Sequence, residues 1–529
     1  MAPMADLPPD LAFGSFDENG PWTIDHDELI WLDAVPALRA HAHTRLPSLV
    51  SAPRWPPLRR AFTVVRVLVI ALAKWWFTGR RRGRSESYAD LSRRLRLAAE
   101  RLGPTYIKLG QIISSGEGIF PPELVAEFAK CRDQVPPETF RAVCSVIEAD
   151  LGRPLTEVFA HVESRPIAAA SIAQVHPARL RDGTDVVVKV QRPAVAELVH
   201  LDLAVMAWLA PKLVGRIPVA ALANPPALVE VFAHTITEEL EFRIEGANML
   251  DVAGVFAELD QRQFVVPRPH PELVTERVLV MERLTGFRFD DLDSYDVHGV
   301  DTHEIVRTGM VGFMEGALIH GVFHGDLHGG NLYVRPDGRT ALLDFGITGR
   351  MSQPKRLAFV RLLIAGTMND VTGQLAALRD LGALPEDTDI EAVARDLGLY
   401  DDVIDPTTME PDELVHELQT VVKALLAYGA RMPKELMLFV KNLVFLDGAI
   451  ARLAPDLDLF AEIAYVAGYF ASTHGERLAR EVGMDPTVYE YDEDGIRAAF
   501  GVDTGVETMT YRQLQERRQI IRSRLRARA

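Results

Sequence analysis

Cysteine is scarce in this chain, and this and other absences narrow the classes of protein to which it can belong. Two cysteines, Cys131 and Cys144, occur among 529 residues, which excludes a disulfide framework and a cysteine-based metal cluster and suits a reducing compartment. Net positive charge is absent, since the formal net charge of −17 argues against general nucleic-acid binding. The first residues hold no basic region followed by an apolar one, so we expect no cleavable signal peptide.

Long uncharged apolar runs are missing too, and the most apolar stretch, residues 59–84, carries charges inside it. At 100° per residue, Arg59, Arg66, Lys74 and Arg81 fall within about 80° of arc, which predicts an amphipathic helix with a cationic edge. Fewer than about 18 uncharged residues in a row weigh against a membrane span. We expect a helix on a membrane surface, with residues 75–77 (Trp-Trp-Phe) at headgroup level. A helix packed on the protein's own core and a true span remain alternatives.

The composition, 48% apolar and 25% charged, is typical of a globular protein, and the length favours about two to four domains. Changes in composition and period predict six segments. These are a loosely ordered leader at 1–55, an amphipathic basic helix at 56–87, a helical extension at 88–160, a first lobe with inserted helices at 161–285, a helical second lobe at 286–475, and a tail with an arginine-rich end at 476–529. We therefore predict an α+β fold.

The extension contains Lys108 and Gln111 just after a break at Gly103-Pro104, and their spacing places them on one helical face.

Beyond residue 165 the period changes to two, and an Asp-Gly turn at 182–183 predicts a β-hairpin. Its second strand holds Lys189 among valines, where a lysine must be paired, snorkelling or functional. Before the hairpin lies the segment Ala168, Ala169, Ala170 and Ser171.

Residues 226–260 are predicted to form one long helix with clustered acids, among them Glu239, Glu241 and Glu245. Such acids usually form a solvated face, but a buried Lys189 would need a carboxylate partner. Residues 278–284 then form a strand that runs through Glu282 into a connector. The later part of the chain is predicted to be largely helical, at Leu357–Gly366, Thr372–Leu381, Glu413–Tyr428 and Lys434–Ala454.

The stretch from His324 to Asp344 reads as a loop followed by a hairpin around a Pro-Asp-Gly turn. The hairpin brings its two ends together, so we expect Asp326, Asn331 and Asp344 to lie near one another. Hard cations such as Mg²⁺ bind carboxylate and amide oxygens together with nucleotide phosphates. An Asp, an Asn five residues later and an Asp-Phe-Gly occur in this order in protein kinases.

These motifs together resemble the UbiB family of atypical kinases, over about residues 90–470. The motifs are Lys-x-Gly-Gln at 108–111, Ala-Ala-Ala-Ser at 168–171, Val-Lys-Val-Gln at 188–191, Glu-Leu-Glu-Phe-Arg-x-Glu-x-Ala-Asn at 239–248, and the loop with Asp-Phe-Gly. The resemblance implies a bilobal protein kinase-like fold with an N-terminal helical extension over the active site. It also implies binding of ATP or ADP with Mg²⁺.

Carried over by position, the resemblance assigns a role to each candidate residue. Lys189 contacts nucleotide phosphates and pairs with Glu245, and the alanine segment and Glu282 border the nucleotide. Asp326 is the catalytic aspartate, and Asn331 and Asp344 hold Mg²⁺. The regulatory residues are Lys108 and Gln111, which meet Glu239 and Glu241.

Three departures from the family pattern stand out. Glu241 stands where the family usually has Asp, the catalytic loop lacks two prolines that the family commonly has, and we find no pair of C-terminal membrane spans. The loop keeps every ligand but is more flexible without its prolines.

The resemblance further implies an ATPase or atypical kinase that supports isoprenoid-quinone or other lipid metabolism, with the phosphoryl acceptor left open between water, a lipid and an isoprenoid. Together with the basic helix, this gives a cytoplasmic protein peripherally bound at the inner face of the cell membrane. An anionic lipid or an isoprenoid-quinone intermediate is the expected partner, and a homodimer is an open alternative. Two other functions compete. The catalytic loop alone is equally similar to aminoglycoside and choline kinases, which would make the protein a small-molecule phosphotransferase. A nucleotide-gated membrane scaffold is the third candidate.

Overall fold

A computed structural model describes residues 11–17, 20–81, 83–114, 121–131, 135–213, 225–368, 370–398, 428–430, 433–483 and 508–526. The chain divides into two units. The first unit comprises residues 1–257, 265–285 and 341–347, and the second comprises residues 258–264, 286–340 and 348–529. The predicted helix at Glu413–Tyr428 and much of the tail lie outside the described residues.

The N-terminal part of the first unit has more regular structure than the leader we predicted. It contains an antiparallel hairpin and a helix, β1 (Leu11–Asp17), β2 (Gly20–Asp25) and α1 (Val35–Val50). Leu29, Trp31 and Val35 are buried, and the Trp31 indole donates a hydrogen bond to the His270 carbonyl at 3.2 Å. These single apolar residues lack a period, so their anchoring role was invisible in the sequence.

The helix α2 (Leu58–Thr78) follows the predicted amphipathic segment. One face is buried in the core of the first unit through Ala61, Val64, Val67 and Ala71. On this side Arg60 donates to the buried carboxylate of Asp202 at 2.6 Å. Among the described residues, α2 is the one helix with the length and hydropathy of a membrane span, a property that buried helices and signal sequences share. The packed face therefore agrees with the alternative of a helix on the protein's own core.

The opposite face of α2 is apolar and exposed. The helix contains no acidic residue, and Arg59, Arg66 and Lys74 on it are exposed. Its exposed apolar side chains are Leu58, Phe62, Val65, Val69, Ile70, Leu72, Trp76 and Phe77. Both sides of α2 therefore carry apolar side chains. One side packs in the core of the first unit, and the other is exposed.

The segment predicted as a helical extension contains five described helices, separated by stretches with glycine or proline. These are α3 (Arg84–Leu102), α4 (Pro104–Ser114), α5 (Pro122–Phe128), α6 (Phe140–Leu151) and α7 (Leu155–Val158). Gly103 separates α3 from α4 with φ of +104°, a conformation that favours glycine. The helix α4 carries the Lys-x-Gly-Gln motif.

A six-stranded antiparallel sheet forms the centre of the first unit. Its strands are β3 (Phe159–Val162), β4 (Ala168–Ala169), β5 (Ala173–Leu180), β6 (Asp185–Gln191), β8 (Pro269–Val274) and β9 (Val278–Glu282), and the short strand β7 (Phe264–Val265) precedes the last two. The order is β3-β5-β6-β9-β8, with β4 paired to β5. The predicted hairpin is present as β5 and β6, and β6 lies in the middle because its valines are buried on both sides.

Three helices complete the first unit, α8 (Val195–Leu213), α9 (Pro225–Glu239) and α10 (Phe242–Glu258). The single long helix predicted over residues 226–260 is therefore two helices. The break is stabilised from outside, because Gln191 donates to the Leu240 carbonyl at 2.7 Å and the Phe242 amide donates to the Glu276 carbonyl at 3.0 Å. Such distant partners replace the helical hydrogen bonds that the break removes.

The second unit is mainly helical. Its helices are α11 (Leu292–His298), α12 (Thr302–Glu315), a π-helical turn at Gly316–His320, α13 (Gln353–Thr367), α14 (Val371–Asp380), α15 (Ile390–Asp396), α16 (Lys434–Leu453), α17 (Leu459–Val482) and α18 (Tyr511–Arg526). Three of the predicted helices correspond to α13, α14 and α16. The short strands are β10 (Phe287–Arg288), β11 (Val322–His324), β12 (Leu332–Val334), β13 (Thr340–Leu342) and β14 (Thr348–Arg350), of which β11 pairs with β14 and β10 with β12.

Candidate active site

Lys189 lies at the centre of a charged cluster in the first unit. Its ammonium contacts the Glu245 carboxylate on α10 at 2.6 Å and the Asp344 carboxylate at 3.1 Å. The Lys189 side chain is 12% exposed and that of Glu245 is 3% exposed, whereas that of Asp344 is 46% exposed. The strand β6 presents Lys189 here because the flanking Val188 and Val190 fill the core on the other face of the sheet.

The charges of this cluster control one another's protonation. Burial raises the pKa of Glu245, the ammonium of Lys189 opposes that rise, and the negative charge of Asp344 adds to it, so the pKa reaches about 7. Burial alone would lower the pKa of Lys189, but the two carboxylates outweigh it and raise that pKa. A cation with two acidic neighbours thus stays charged in a nearly dry site, where it can bind an anion.

The Asp-Phe-Gly segment has a strained and anchored backbone. Asp344 has a φ of +59°, which is uncommon for a residue with a side chain. Phe345 is fully buried, and its carbonyl accepts a hydrogen bond from the Asn248 side chain at 2.9 Å. The last residue of the Glu239–Asn248 motif therefore fixes the segment that carries Asp344. This anchoring is consistent with a functional reason for the strain.

Three of the four candidate regulatory residues form ion pairs, and these belong to two separate pairs. Lys108 on α4 contacts Glu239 at the end of α9 at 2.7 Å, and both side chains are largely buried. Gln111 lies half-buried one turn further along α4. Glu241 was expected to meet Lys108 and Gln111. Instead, the Arg243 guanidinium donates to both oxygens of the Glu241 carboxylate, at 2.7 and 2.8 Å. Glu241 lies in the break between α9 and α10, next to the helix that carries Arg243.

Glu239 also lies against the Asp-Phe-Gly segment. A Cβ atom on Gly346 would stand 3.3 Å from Cγ of Glu239 and 3.3 Å from an oxygen of Asp344. Glycine at this position therefore permits close approach of the Lys108–Glu239 pair to the residue that would bind metal. The extension and the candidate metal ligand are neighbours within the first unit.

The alanine segment is a paired strand and not an open loop. Ala168 and Ala169 pair with β5, and the Ala170 amide donates to the Ala173 carbonyl at 2.8 Å. On its other side the Ala169 carbonyl accepts from the Val135 amide at 3.1 Å. Ser171 is buried. With its backbone groups used on both sides, this segment is stiffer than a glycine-rich phosphate loop.

Arg192 clamps this segment and was not recognised from the sequence. Its buried guanidinium donates to the Ala170 carbonyl at 2.9 Å, to the Pro136 carbonyl at 3.0 Å and to Glu138 at 3.0 Å. An arginine directly after the Val-Lys-Val-Gln strand was the available signal, because a buried guanidinium must satisfy five N–H donors. It joins the alanine segment to the connection between α5 and α6 in the helical extension.

Glu282 ends β9 and is bound by Arg268. The guanidinium of Arg268 donates to its two oxygens at 2.9 and 3.2 Å. The carboxylate is therefore part of a partly exposed ion pair.

The second unit contains the loop with Asp326 and Asn331. The Asn331 amide nitrogen donates to the Asp326 carbonyl at 3.1 Å, so its side-chain oxygen is directed by a local hydrogen bond. The Asp326 amide donates to the His324 ring at 3.2 Å. The turn that follows is the predicted one, since the Gly338 amide donates to the Arg335 carbonyl at 2.9 Å.

Two neighbouring residues of α16 hold this loop and were missed in the sequence. Asn442 is fully buried, accepts from the Leu327 amide at 3.1 Å and donates to the His324 carbonyl. Lys441 forms an ion pair with the Asp326 carboxylate. The available signal was a Lys-Asn pair inside an apolar helix, where a buried asparagine needs partners.

The donor groups fit Mg²⁺ and phosphate chemistry. Asp344 offers a partly exposed carboxylate beside a buried cation, and Asn331 offers an amide oxygen, which are the oxygen ligands that Mg²⁺ prefers. That Asp326, Asn331 and Asp344 act on one nucleotide stays a prediction.

Comparisons with known proteins show the family to which the chain belongs. A family model described as the ABC1 atypical kinase-like domain matches residues 130–377. The protein Rv0647c of Mycobacterium tuberculosis is 36% identical over 378 residues, which are 70% of this chain and 76% of that protein. A chloroplastic aarF domain-containing protein kinase of Arabidopsis thaliana is 33% identical over 404 residues, covering 70% and 73%.

A third relative carries the family name that the sequence suggested. The probable protein kinase UbiB of Aliivibrio fischeri is 30% identical over 377 residues, which are 70% of this chain and 69% of that protein. The predicted fold class, kinase-like with mixed helices and sheets, is confirmed. The chain therefore belongs to the ABC1 family of atypical kinase-like proteins, to which the UbiB kinases also belong.

Proposed function

We propose that the chain is a Mg²⁺-dependent, ATP-binding atypical kinase or ATPase that works at a membrane surface and serves the metabolism of isoprenoid quinones or other lipids. The observation that carries this proposal is the Lys189 ammonium held between Glu245 at 2.6 Å and Asp344 at 3.1 Å. Kinases use a strand lysine paired with a helical glutamate to bind nucleotide phosphates.

In the proposed reaction the protein positions and neutralises charge. Lys189 binds phosphate oxygens of ATP, and Glu245 keeps Lys189 in place. Asn331 and Asp344 would hold Mg²⁺, which would supply positive charge to neutralise the developing phosphoryl charge. Asp326 orients the attacking oxygen of the acceptor, which is water in the ATPase reaction and a lipid hydroxyl in a kinase reaction.

The remaining candidate residues border the nucleotide or control it. The alanine segment, residues 168–171, covers the phosphates as a stiff lid, and the strand that ends at Glu282 borders the nucleotide. The Lys108–Glu239 pair, with Gln111 beside it on α4, restrains the Asp-Phe-Gly segment, since Glu239 lies against Gly346. Release of this pair would free Asp344 for metal binding.

Membrane association is proposed from α2. Its exposed side combines large apolar side chains with Arg59, Arg66 and Lys74 and contains no acid, which is the composition of a helix that lies in the interface of an anionic bilayer. The other side stays packed on the first unit. The proposed location is the inner face of the cell membrane, with the protein peripherally bound from the cytoplasm.

The first test compares ATP hydrolysis by the purified full-length chain with and without liposomes that contain anionic phospholipid. We expect weak Mg²⁺-dependent turnover that liposomes increase, and loss of turnover in Asp344→Asn. Asp293→Asn, an exposed acid on α11, is the matched control and should keep wild-type turnover. Absence of Mg²⁺-dependent nucleotide binding in the wild type would overturn the enzymatic proposal and favour a membrane scaffold.

The second test addresses the membrane. Phe62→Asp with Val69→Asp changes two exposed positions of α2 and should abolish sedimentation with anionic liposomes. Ile30→Asp, which is exposed elsewhere in the first unit, should sediment like the wild type. Unchanged sedimentation of the α2 variant would overturn the proposed role of this helix.

A further inference from the structure

A cluster of two histidines and a glutamate lies where α1 contacts α9, and the proposed phosphoryl transfer makes no use of it. His43 belongs to α1, and His234 and Glu238 belong to α9. One potential ligand atom from each residue lies within 4.8 Å of the others. Imidazole nitrogens and a carboxylate oxygen are ligands that zinc and similar divalent transition metals prefer.

The helices α1 and α9 fix the positions of the three side chains in this cluster. His234 and Glu238 are four residues apart and therefore project from the same face of α9, and His43 reaches the same place from a second helix. Ligands on helices are held more precisely than ligands on loops. The site would therefore join α1 to α9 within the first unit.

The separation of the two histidine nitrogens matches tetrahedral coordination. Nδ1 of His43 and Nε2 of His234 are 3.3 Å apart. Zinc binds imidazole nitrogen at roughly 2.0–2.1 Å, so two ligands of one tetrahedral ion stand about 3.3 Å apart. The ring planes are inclined at 54° with centroids 4.6 Å apart, so the rings meet by their edges and are not stacked.

Glu238 completes a set of three ligands. Its carboxylate lies 3.8 Å from the far ring nitrogen of His234, which is too long for a hydrogen bond. Binding of an ion between His43 and His234 would therefore require the Glu238 side chain to turn toward the two facing histidine nitrogens. His43 is exposed, while the side chains of His234 and Glu238 are 15% and 22% exposed, so an ion can enter from solvent and keep a water as its fourth ligand.

We propose that His43, His234 and Glu238 bind one divalent transition-metal ion of the zinc type, which clips α1 to α9. The helix α9 ends at Glu239, the residue that pairs with Lys108 at 2.7 Å. Metal binding therefore stiffens the helix end that carries this ion pair. The clip is independent of the proposed phosphoryl transfer, because none of its three ligands belongs to the cluster around Lys189.

The experiment is a calorimetric titration of ZnCl₂ into the full-length, tag-free chain after treatment with EDTA. We expect one zinc per chain with a dissociation constant of micromolar or below, weakened at least tenfold in His234→Gln and in His43→Gln. His41→Gln is the matched control, since His41 is exposed on the same helix two residues earlier, and it should bind like the wild type. Circular dichroism shows whether each variant is folded.

A second measurement uses Co²⁺, whose visible absorption band reports tetrahedral coordination. We expect this band in the wild type and in His41→Gln, and its loss in His234→Gln. Absence of zinc binding at 0.1 mM, or binding that both ligand variants retain at full strength, would overturn the proposal and leave a hydrogen-bonded histidine pair.

Discussion

Glu245 should make the free energy of unfolding fall as the pH rises toward neutrality. Replacing Glu245 by glutamine should remove this pH dependence. The pKa of Glu245 rises from 4.5 to about 7, first through burial, against the opposing charge of Lys189 and with the added repulsion of Asp344. Between these two pH values the folded chain holds a proton that the unfolded chain has released. The stabilisation is therefore complete below pH 4.5 and is lost as the pH rises through 7.

The size of the effect follows from the two pKa values. A rise from 4.5 to about 7 corresponds to about 3 kcal/mol over the whole range. Between pH 6 and pH 8 the wild type should therefore lose about 1 kcal/mol of unfolding free energy through this group. Glutamine keeps an oxygen that can accept the hydrogen bond from Lys189 but has no proton to lose, so the variant should lack this loss.

The assay is urea denaturation at pH 6 and pH 8, both above the sequence pI of about 5.4, where the chain carries net negative charge. The quantity compared is the change in unfolding free energy between the two pH values. Glu197→Gln, an exposed acid on α8, is the control and should behave as the wild type. If Glu245→Gln shows the wild-type decline, the reasoning from burial and charge at this site is refuted.

Three further perturbations probe the contacts around the two candidate site regions. Lys441→Met should lower ATP turnover about 100-fold by removing the cation beside Asp326, with partial recovery in Lys441→Arg; turnover within threefold of the wild type would contradict this role. Arg60→Ala should reduce the unfolding free energy at pH 7 by about 3–5 kcal/mol, because it leaves the buried Asp202 carboxylate unpaired, and a loss below about 1 kcal/mol would refute that reasoning. Arg192→Ala should speed amide hydrogen exchange in the alanine segment at least tenfold, and an unchanged exchange rate there would show that the guanidinium clamp is dispensable.

Local patterns were sufficient to predict the central hairpin and its lysine. The change to a period of two with an Asp-Gly turn predicted β5 and β6, and the cost of burying Lys189 without a partner predicted a carboxylate nearby, which is Glu245. The resemblance to the UbiB family, carried over by position, identified that partner among several acids on the following helical segment. Predictions of this kind succeed because the relevant information lies within a few residues.

Contacts between distant parts of the chain were what the sequence could not reveal. The break before Glu241 depends on Gln191, which lies 49 residues away from Leu240. Lys441 lies 115 residues from Asp326, in a helix whose apolar period suggested only packing. Neither interaction leaves a local pattern, because each is a single polar contact across the fold.

The exposed side of α2 makes the charge distribution of the protein uneven. The chain has a formal net charge of −17, yet the exposed side of this helix carries three cations, Arg59, Arg66 and Lys74, and no anion. An anionic surface repels most of such a molecule and attracts one edge of it, so approach produces a torque as well as a force. The protein would arrive already oriented with α2 foremost, before any apolar side chain touches the surface, and added salt would weaken this alignment over distances of about 10 Å or more.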